Sequence, residues 1–76
     1  MKELVETVAR ALVTRPEDVS VEEMREGETV TLDLTLSGED LGRVIGREGR
    51  TARALRAFAS AAGRKRNQRV VVRIKG

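Results

Sequence analysis

The sequence predicts an α+β fold, a three-stranded mixed sheet with three helices on one face. Apolar residues recur at helical spacing in three segments and alternate with polar residues in three others. The segments follow in the order helix, strand, strand, helix, helix, strand. A length of 76 residues suits a single domain, residues 1–76, with one small core.

The first helix is predicted over residues 2–13. Its apolar positions are Leu4, Val5, Val8, Ala9, Leu12 and Val13, while Glu3, Glu6 and Arg10 lie on the other side. Arg15 and Pro16 are expected to end it, because the residue before a proline is disfavoured in the helical conformation.

Two strands are predicted next, joined by a tight turn at Glu26 and Gly27. The first contains Val19 and Val21. In the second, Val30, Leu32, Leu34 and Leu36 alternate with Thr31, Asp33 and Thr35. This alternation predicts one buried face and one face in contact with water.

The second half of the chain predicts two helices and a final strand. Ser37 and Asp40 have the spacing of a capping box, which starts a short helix over residues 38–45. A longer helix over residues 50–62 has its apolar stripe at Ala52, Leu55, Phe58, Ala59 and Ala62. Gly63 is the expected left-handed C-terminal cap, and a basic loop over 64–68 precedes a strand containing Val70, Val72 and Ile74. Because two helices separate this strand from the second one, the two are expected to be parallel.

Charge is divided unevenly along the chain. Residues 1–40 hold 4 Lys/Arg and 11 Asp/Glu, whereas residues 41–76 hold 11 and 1, within a net charge of +3. A basic half of this kind attracts a polyanion such as nucleic acid or anionic lipid.

Composition excludes several classes of protein. The absence of cysteine and histidine removes disulfides, thiolate chemistry, the usual zinc sites and the commonest general base. We therefore expect no enzyme, cofactor or metal site. No apolar run approaches the ~20 residues of a membrane-spanning helix, and the N-terminus lacks a signal peptide, so a cytoplasmic protein is expected.

A glycine turn, residues Gly46, Arg47, Glu48 and Gly49, separates the second and third helices. Its two glycines leave the backbone unshielded at both ends, and it leads into a helix N-terminus, where unpaired N–H groups favour an anion. This pattern favours binding of a phosphate group.

The run from Gly42 to Thr51 resembles the signature of KH domains, an apolar residue followed by a GxxG loop between two helices. The predicted order of elements, αββααβ, is that of the type II arrangement. The resemblance covers essentially the whole chain and is closest to the KhpA family of small bacterial single-KH proteins. A GxxG sequence alone is a weak signal, and the flanking pattern makes it specific.

The resemblance implies binding of single-stranded RNA, with the GxxG loop holding the backbone of about four nucleotides along an apolar groove. It points to ten residues: Gly42, Arg43, Val44, Ile45, Gly46, Arg47, Glu48, Gly49, Arg50 and Arg53. It also implies a post-transcriptional regulator or RNA chaperone, pairing with itself or with a larger KH-containing protein, and an influence on cell shape and division. Glu48 is acidic, which should weaken phosphate attraction.

Other interpretations remain open at the level of sequence. The KH shape could serve mainly as a protein docking surface, or it could bind single-stranded DNA. Phe58 is the only aromatic residue and is expected in the core, so an RRM, a cold-shock protein or an OB-fold, which stack bases on exposed rings, is disfavoured. Arg53, Arg56 and the 64–66 run are either solvated charges or contacts. Ala54, Ala57 and Ala61 either form a partner surface or merely favour the helix.

Overall fold

The protein was examined as a computed structural model that describes the backbone of residues 1–46 and 50–76, and the side chains of 1–43 and 51–76. The elements are α1 (Lys2–Leu12), β1 (Ser20–Glu26), β2 (Thr29–Thr35), α2 (Gly38–Gly46), α3 (Arg50–Lys65) and β3 (Arg69–Lys75), with a short 3-10 helix at Pro16–Asp18. The predicted order is confirmed. Within the described ranges, no helix is long and apolar enough to cross a membrane.

The sheet has the strand order β1-β2-β3 and is mixed, as predicted. β1 and β2 are antiparallel, and their register pairs Glu26 with Thr29, which leaves a two-residue turn. Gly27 begins that turn with a φ of +60°, a conformation that glycine adopts without steric cost. β2 and β3 are parallel, so β3 forms one edge of the sheet.

The core lies between one face of the sheet and the helices. The helices contribute small and medium side chains: Val5 and Ala9 from α1, and Ala52, Leu55 and Ala59 from α3. The strands contribute Val21, Val30, Leu32, Leu34, Val70 and Val72, with Val19 and Leu36 beside them. The alternation predicted for β2 therefore places its apolar residues correctly.

The opposite face of β2 is less exposed to solvent than predicted. Asp33 is only 7% exposed. Arg73, its neighbour across the parallel pair, donates from Nε to Oδ1 at 2.6 Å and from Nη2 to Oδ2 at 2.9 Å. This bidentate contact covers the carboxylate and is the main cause that lowers the pKa of Asp33.

The first helix ends one residue earlier than the predicted end at residue 13. α1 stops at Leu12, and Val13 is extended with φ −108° and ψ 164°. The reason lies elsewhere in the chain: the backbone N–H groups of Thr14 and Arg15 donate to the carboxylate of Asp40. These two N–H groups are therefore not available for the hydrogen bonds that a longer α1 would need.

The predicted role of Gly63 is wrong. α3 continues through it to Lys65, and the left-handed residue is Asn67, with a φ of 55°. A Cβ on Gly63 would lie 2.5 Å from Cγ2 of Val70 and 2.8 Å from the carbonyl oxygen of Gln68. Glycine is required here because the chain turns back against the helix, and the predicted basic loop is correspondingly shorter.

Two glycines in helices give a matched test of this packing. Gly63→Ala should lower the free energy of unfolding by about 1–3 kcal/mol, because the added methyl overlaps its neighbours. Gly42→Ala should raise it by about 0.5–1 kcal/mol, since nothing lies within 4 Å of a Cβ there. Urea unfolding of both variants measures the difference, and equal effects of the same sign would contradict it.

Candidate nucleic-acid interface

The GxxG sequence lies between two helices along the chain. α2 ends at Gly46 and α3 begins at Arg50. Arg47, Glu48 and Gly49 lie outside the described residues, and Val44, Ile45 and Arg50 lie outside the described side chains. The described chain on both sides therefore defines the surroundings of the turn.

Asp40 ties the start of α2 to the segment that follows α1. Its backbone N–H donates to Oγ of Ser37 at 3.1 Å, so the serine caps the helix as predicted. Its carboxylate accepts bonds from the Thr14 N–H (2.9 Å), the Thr14 hydroxyl (2.9 Å), the Arg15 N–H (3.0 Å) and the Ser37 hydroxyl (3.0 Å). These bonds, led by the Thr14 N–H, lower the pKa of Asp40 to about 2. The helix that leads to the glycine turn is thus fixed at its beginning.

Gly42 and Arg43 lie on the exposed surface of α2. A Cβ at Gly42 would meet open space, so close packing within the described chain does not require glycine there. Close approach of RNA to Gly42, which the resemblance implies, stays a prediction.

A polar row runs along α3 away from the glycine turn. Arg56, Ser60 and Arg64 are spaced four residues apart, which places them on one side of the helix. Arg53, also exposed, lies three residues before Arg56. The row faces β3 across an open groove of about 1030 Å³. This groove, called the α3–β3 groove below, lies at the upper end of the roughly 300–1,000 Å³ of a typical small-molecule site.

The β3 side of the groove is an unpaired sheet edge. The Arg69 N–H bonds to the Glu28 carbonyl and the Lys75 carbonyl accepts from the Leu36 N–H, both at 2.9 Å, so these groups point toward β2. Backbone direction alternates along a strand, so the groups of Val70 and Val72 point outward into the groove. The Val72 carbonyl accepts a bond from Arg56 Nε at 3.3 Å.

The resemblance implied an apolar groove, and this groove is lined by Val70, Val71 and Val72 as well as by polar and positively charged side chains. Arg56, Arg64 and Arg69 line it, together with Ser60, Asn67, Gln68 and the single carboxylate Glu28. Oε1 of Gln68 is buried and has no hydrogen-bond partner within the described part of the chain. The groove therefore offers cations for phosphates, and backbone and side-chain groups for the polar edges of bases.

Phe58 is not in the core, which corrects the sequence prediction. It is 36% exposed, whereas Leu55 and Ala59 beside it are buried. With Ala54, Ala57 and Ala61, all exposed, it forms the α3 apolar stripe, about 100° around the helix from the groove row. Apolar residues occupy two sides of α3, and the sequence alone does not show which side packs against the sheet.

Sequence reasoning assigned Arg53 to the site and left Arg56 and Arg64 undecided. It missed Ser60, Gln68 and Arg69, which line the groove. The four-residue spacing of Arg56, Ser60 and Arg64 is a signal that could have joined them. Nothing in the sequence shows that β3 turns back beside that row.

The order αββααβ and the mixed sheet are those of a type II KH domain, and the GxxG sequence falls between α2 and α3. The family model for the KH domain of KhpA and KhpB matches residues 2–74. The chain belongs to this KhpA/KhpB family of KH domains, and it is not an enzyme.

Similar proteins come from several bacteria. The RNA-binding protein KhpA of Clostridium perfringens is 51% identical over 74 residues, covering 97% of this chain and 99% of the relative. That of Clostridium acetobutylicum is 46% identical with the same coverage, and that of Aquifex aeolicus is 43% identical over 97% of this chain and 94% of its own length. No solved structure matches the chain.

Proposed function

We propose that the chain binds single-stranded RNA in the α3–β3 groove, with the glycine turn holding the phosphate backbone at one end. The observation that carries this proposal is the groove itself, a row of arginines opposite an unpaired strand edge on the helix that follows the turn. The names of the relatives, all RNA-binding proteins, support it.

The geometry favours a single strand over a duplex. Outward backbone groups at Val70 and Val72 suit hydrogen bonds to base edges, which are available only when the bases are unpaired. Arg56 and Arg64 suit phosphates, because a guanidinium donates to phosphate oxygens in a fixed fork. Single-stranded DNA fits the same groups, and 2′-hydroxyl contacts would distinguish RNA from it.

A salt titration tests this function. The Kd of a labelled eight-nucleotide RNA and the matching DNA is measured by fluorescence anisotropy in 100 and 200 mM salt. About four phosphate contacts imply a roughly sevenfold weaker Kd at the higher salt, because bound counterions are released. RNA should bind more tightly than DNA. An affinity indifferent to salt, or no binding, would favour the protein docking interpretation instead.

We further propose that the α3 apolar stripe pairs the domain with a second KH module, either a second copy or a larger KH-containing protein. Phe58 is flanked by small side chains at Ala54, Ala57 and Ala61, which allow another helix to approach closely. Contact with about four nucleotides limits affinity, and linking two grooves raises it through effective concentration. A paired domain of this kind would act as a post-transcriptional regulator or an RNA chaperone.

Replacing Phe58 by Glu should disrupt pairing, because a carboxylate cannot be buried between two helices without a partner. Light scattering after size-exclusion chromatography should give a dimer for the parent and a monomer for F58E. Met24→Glu is the matched control, since Met24 is 47% exposed on β1, on the opposite face of the sheet, and should leave the mass unchanged. If the parent is monomeric even at high protein concentration, the α3 apolar stripe does not pair two copies of this chain. The larger KH-containing protein is then the remaining partner.

A further inference from the structure

Strand β1 is the other free edge of the sheet, on the side away from the α3–β3 groove. Within the described part of the chain, β2 is its only strand neighbour. Its seven residues pair one to one with those of β2, so no bulge interrupts the register. Six of the seven are exposed, and Val21 alone is buried. The edge is therefore long, regular and open to solvent.

The bonds on the other side of β2 show which backbone groups of β1 are unpaired. The Leu36 N–H and the Glu28 carbonyl, at the two ends of β2, bond to β3. Backbone direction alternates along a strand, so the even-numbered residues of β2 point toward β3 and the odd-numbered ones toward β1. The register pairs those odd-numbered residues with the even-numbered residues of β1. The N–H and C=O groups of Val21, Glu23 and Arg25 therefore point outward, away from β2.

β1 is an acidic strand. It holds three carboxylates, Glu22, Glu23 and Glu26, and one cation, Arg25, so its net charge is negative. Nη2 of Arg25 lies 4.0 Å from Oε2 of Glu23. Glu22 and Glu26 form no ion pair with the described residues, and they lie on the outer face of the sheet with Met24 between them. The outer face of β1 is thus a carboxylate, an apolar side chain and a second carboxylate in a row.

This charge selects the occupant of the edge. An unpaired edge is a template for another strand, and charged side chains decide which strands it accepts. Carboxylates of one sign repel a second copy of β1 and the phosphates of RNA. The basic β3 edge of another copy is obstructed, because Arg56 Nε already donates to the Val72 carbonyl there. The strand that fits is one that carries Lys or Arg from another protein.

From these observations we propose that the β1 edge binds an extended basic peptide, which joins the sheet as a fourth strand. The peptide backbone bonds to the outward groups of β1. Alternate side chains of the peptide lie beside Glu22, Met24 and Glu26, so the recognised pattern is basic, apolar and basic at every second residue. The site is independent of the RNA groove, since β2 separates β1 from β3. A domain with both sites joins an RNA to a basic protein segment.

A synthetic peptide, acetyl-Thr-Lys-Thr-Val-Thr-Lys-Thr-amide, is the probe. Its Lys, Val and Lys recur at every second position and match the outer face of β1, and threonine favours the extended conformation. Titration into isotope-labelled protein, followed by NMR, gives the Kd. At saturation, hydrogen exchange at Val21, Glu23 and Arg25 should slow about tenfold, because their N–H groups acquire acceptors. Exchange at the even-numbered residues of β1, already bonded to β2, should change little.

Methylation of the peptide backbone separates strand pairing from simple charge attraction. Two further peptides of the same charge carry N-methyl groups, one at its third and fifth residues and the other at its fourth and sixth. Only alternate N–H groups of a paired strand face its neighbour. One of these peptides should therefore bind about 30-fold more weakly than the unmethylated peptide, and the other should stay within about threefold of it.

Variants of the protein test the charge. E22Q/E26Q should weaken peptide binding about fivefold, because two exposed ion pairs with the lysines are lost. E3Q/E39Q is the matched control, since it removes two exposed carboxylates from α1 and α2 and changes the net charge equally. Its Kd should stay within about twofold of the parent value, because salt screens charges that lie away from the edge. Circular dichroism of both variants checks the fold.

The β1 site is overturned if the peptide does not bind at millimolar concentration. Equal weakening by the two methylation patterns, or by the two double variants, would overturn it as well. Slowed exchange in β1 that grows with protein concentration in the absence of peptide would show that a second copy occupies the edge, which also contradicts the proposal. None of these results bears on RNA binding in the groove.

Discussion

Replacing Arg47 and Glu48 together by Asp should weaken binding of an eight-nucleotide RNA about 100-fold while leaving the melting temperature nearly unchanged. The substitution turns the cation of the glycine turn into an anion and loses a charge-assisted bond to phosphate. Both residues lie in sequence between Gly46, where α2 ends, and Arg50, where α3 begins. Fluorescence anisotropy measures the loss, and thermal unfolding measures the fold.

The single substitution Glu48→Gln is the matched control, with the opposite sign. Removing the acidic charge from the turn should tighten RNA binding a few-fold, since the carboxylate repels phosphate. A folded double variant that binds RNA as tightly as the parent would remove the glycine turn from the site. Loss of binding by E48Q would instead mean that the carboxylate accepts a bond from the RNA.

Replacing Asp40 by Asn should lower the melting temperature by roughly 10 °C, the largest stability effect that we expect from one polar side chain. Asp40 is 2% exposed and accepts four hydrogen bonds from Thr14, Arg15 and Ser37. An amide offers one acceptor oxygen and directs its NH₂ group at another donor, so buried groups lose their partners. Differential scanning calorimetry measures the shift.

The same residue predicts how stability depends on pH. Its pKa is lowered from 3.8 to about 2, so the unfolded chain binds a proton more readily than the folded one. Its stabilising contribution is complete above about pH 5 and is lost as the pH falls through 3.8 toward 2. The Arg73 contact lowers the pKa of Asp33, which acts in the same direction.

Melting temperatures of the parent and D40N between pH 6 and 2 test this dependence. The parent should lose more stability on acidification than D40N, so the two curves should approach each other at low pH. Glu39→Gln is the control, an exposed carboxylate in the same helical turn, and should follow the parent. If the melting temperatures of D40N and the parent fall in parallel with pH, the Asp40 carboxylate does not have the lowered pKa that its hydrogen bonds imply.

Local patterns predicted most of the fold because each depends on neighbours in sequence. The alternation in β2 and the serine at the start of α2 both act within a few residues, and both are confirmed. The errors share one cause. Gly63 and Phe58 have local explanations, a helix cap and a core residue, and the way α3 packs against the rest of the domain overrides both.

The candidate site also has one part that the sequence predicts and another part that only the structure shows. The glycine turn and the basic half are visible in the sequence, because glycine spacing and charge need no partner to be recognised. The groove is not visible, because it exists only where β3 returns beside α3 and, among the described strands, leaves the outward backbone groups of Val70 and Val72 without a strand partner.

The sequence by itself determined the element order, the KH family and the position of the GxxG sequence between α2 and α3, since periodicity and motif spacing are local properties. Only the tertiary structure decided that Asp40 anchors α2, that Phe58 faces outward and that Arg56, Arg64 and Arg69 line one groove. Each of these depends on residues far apart in the chain that meet through packing, and a single sequence does not encode such meetings in any local pattern.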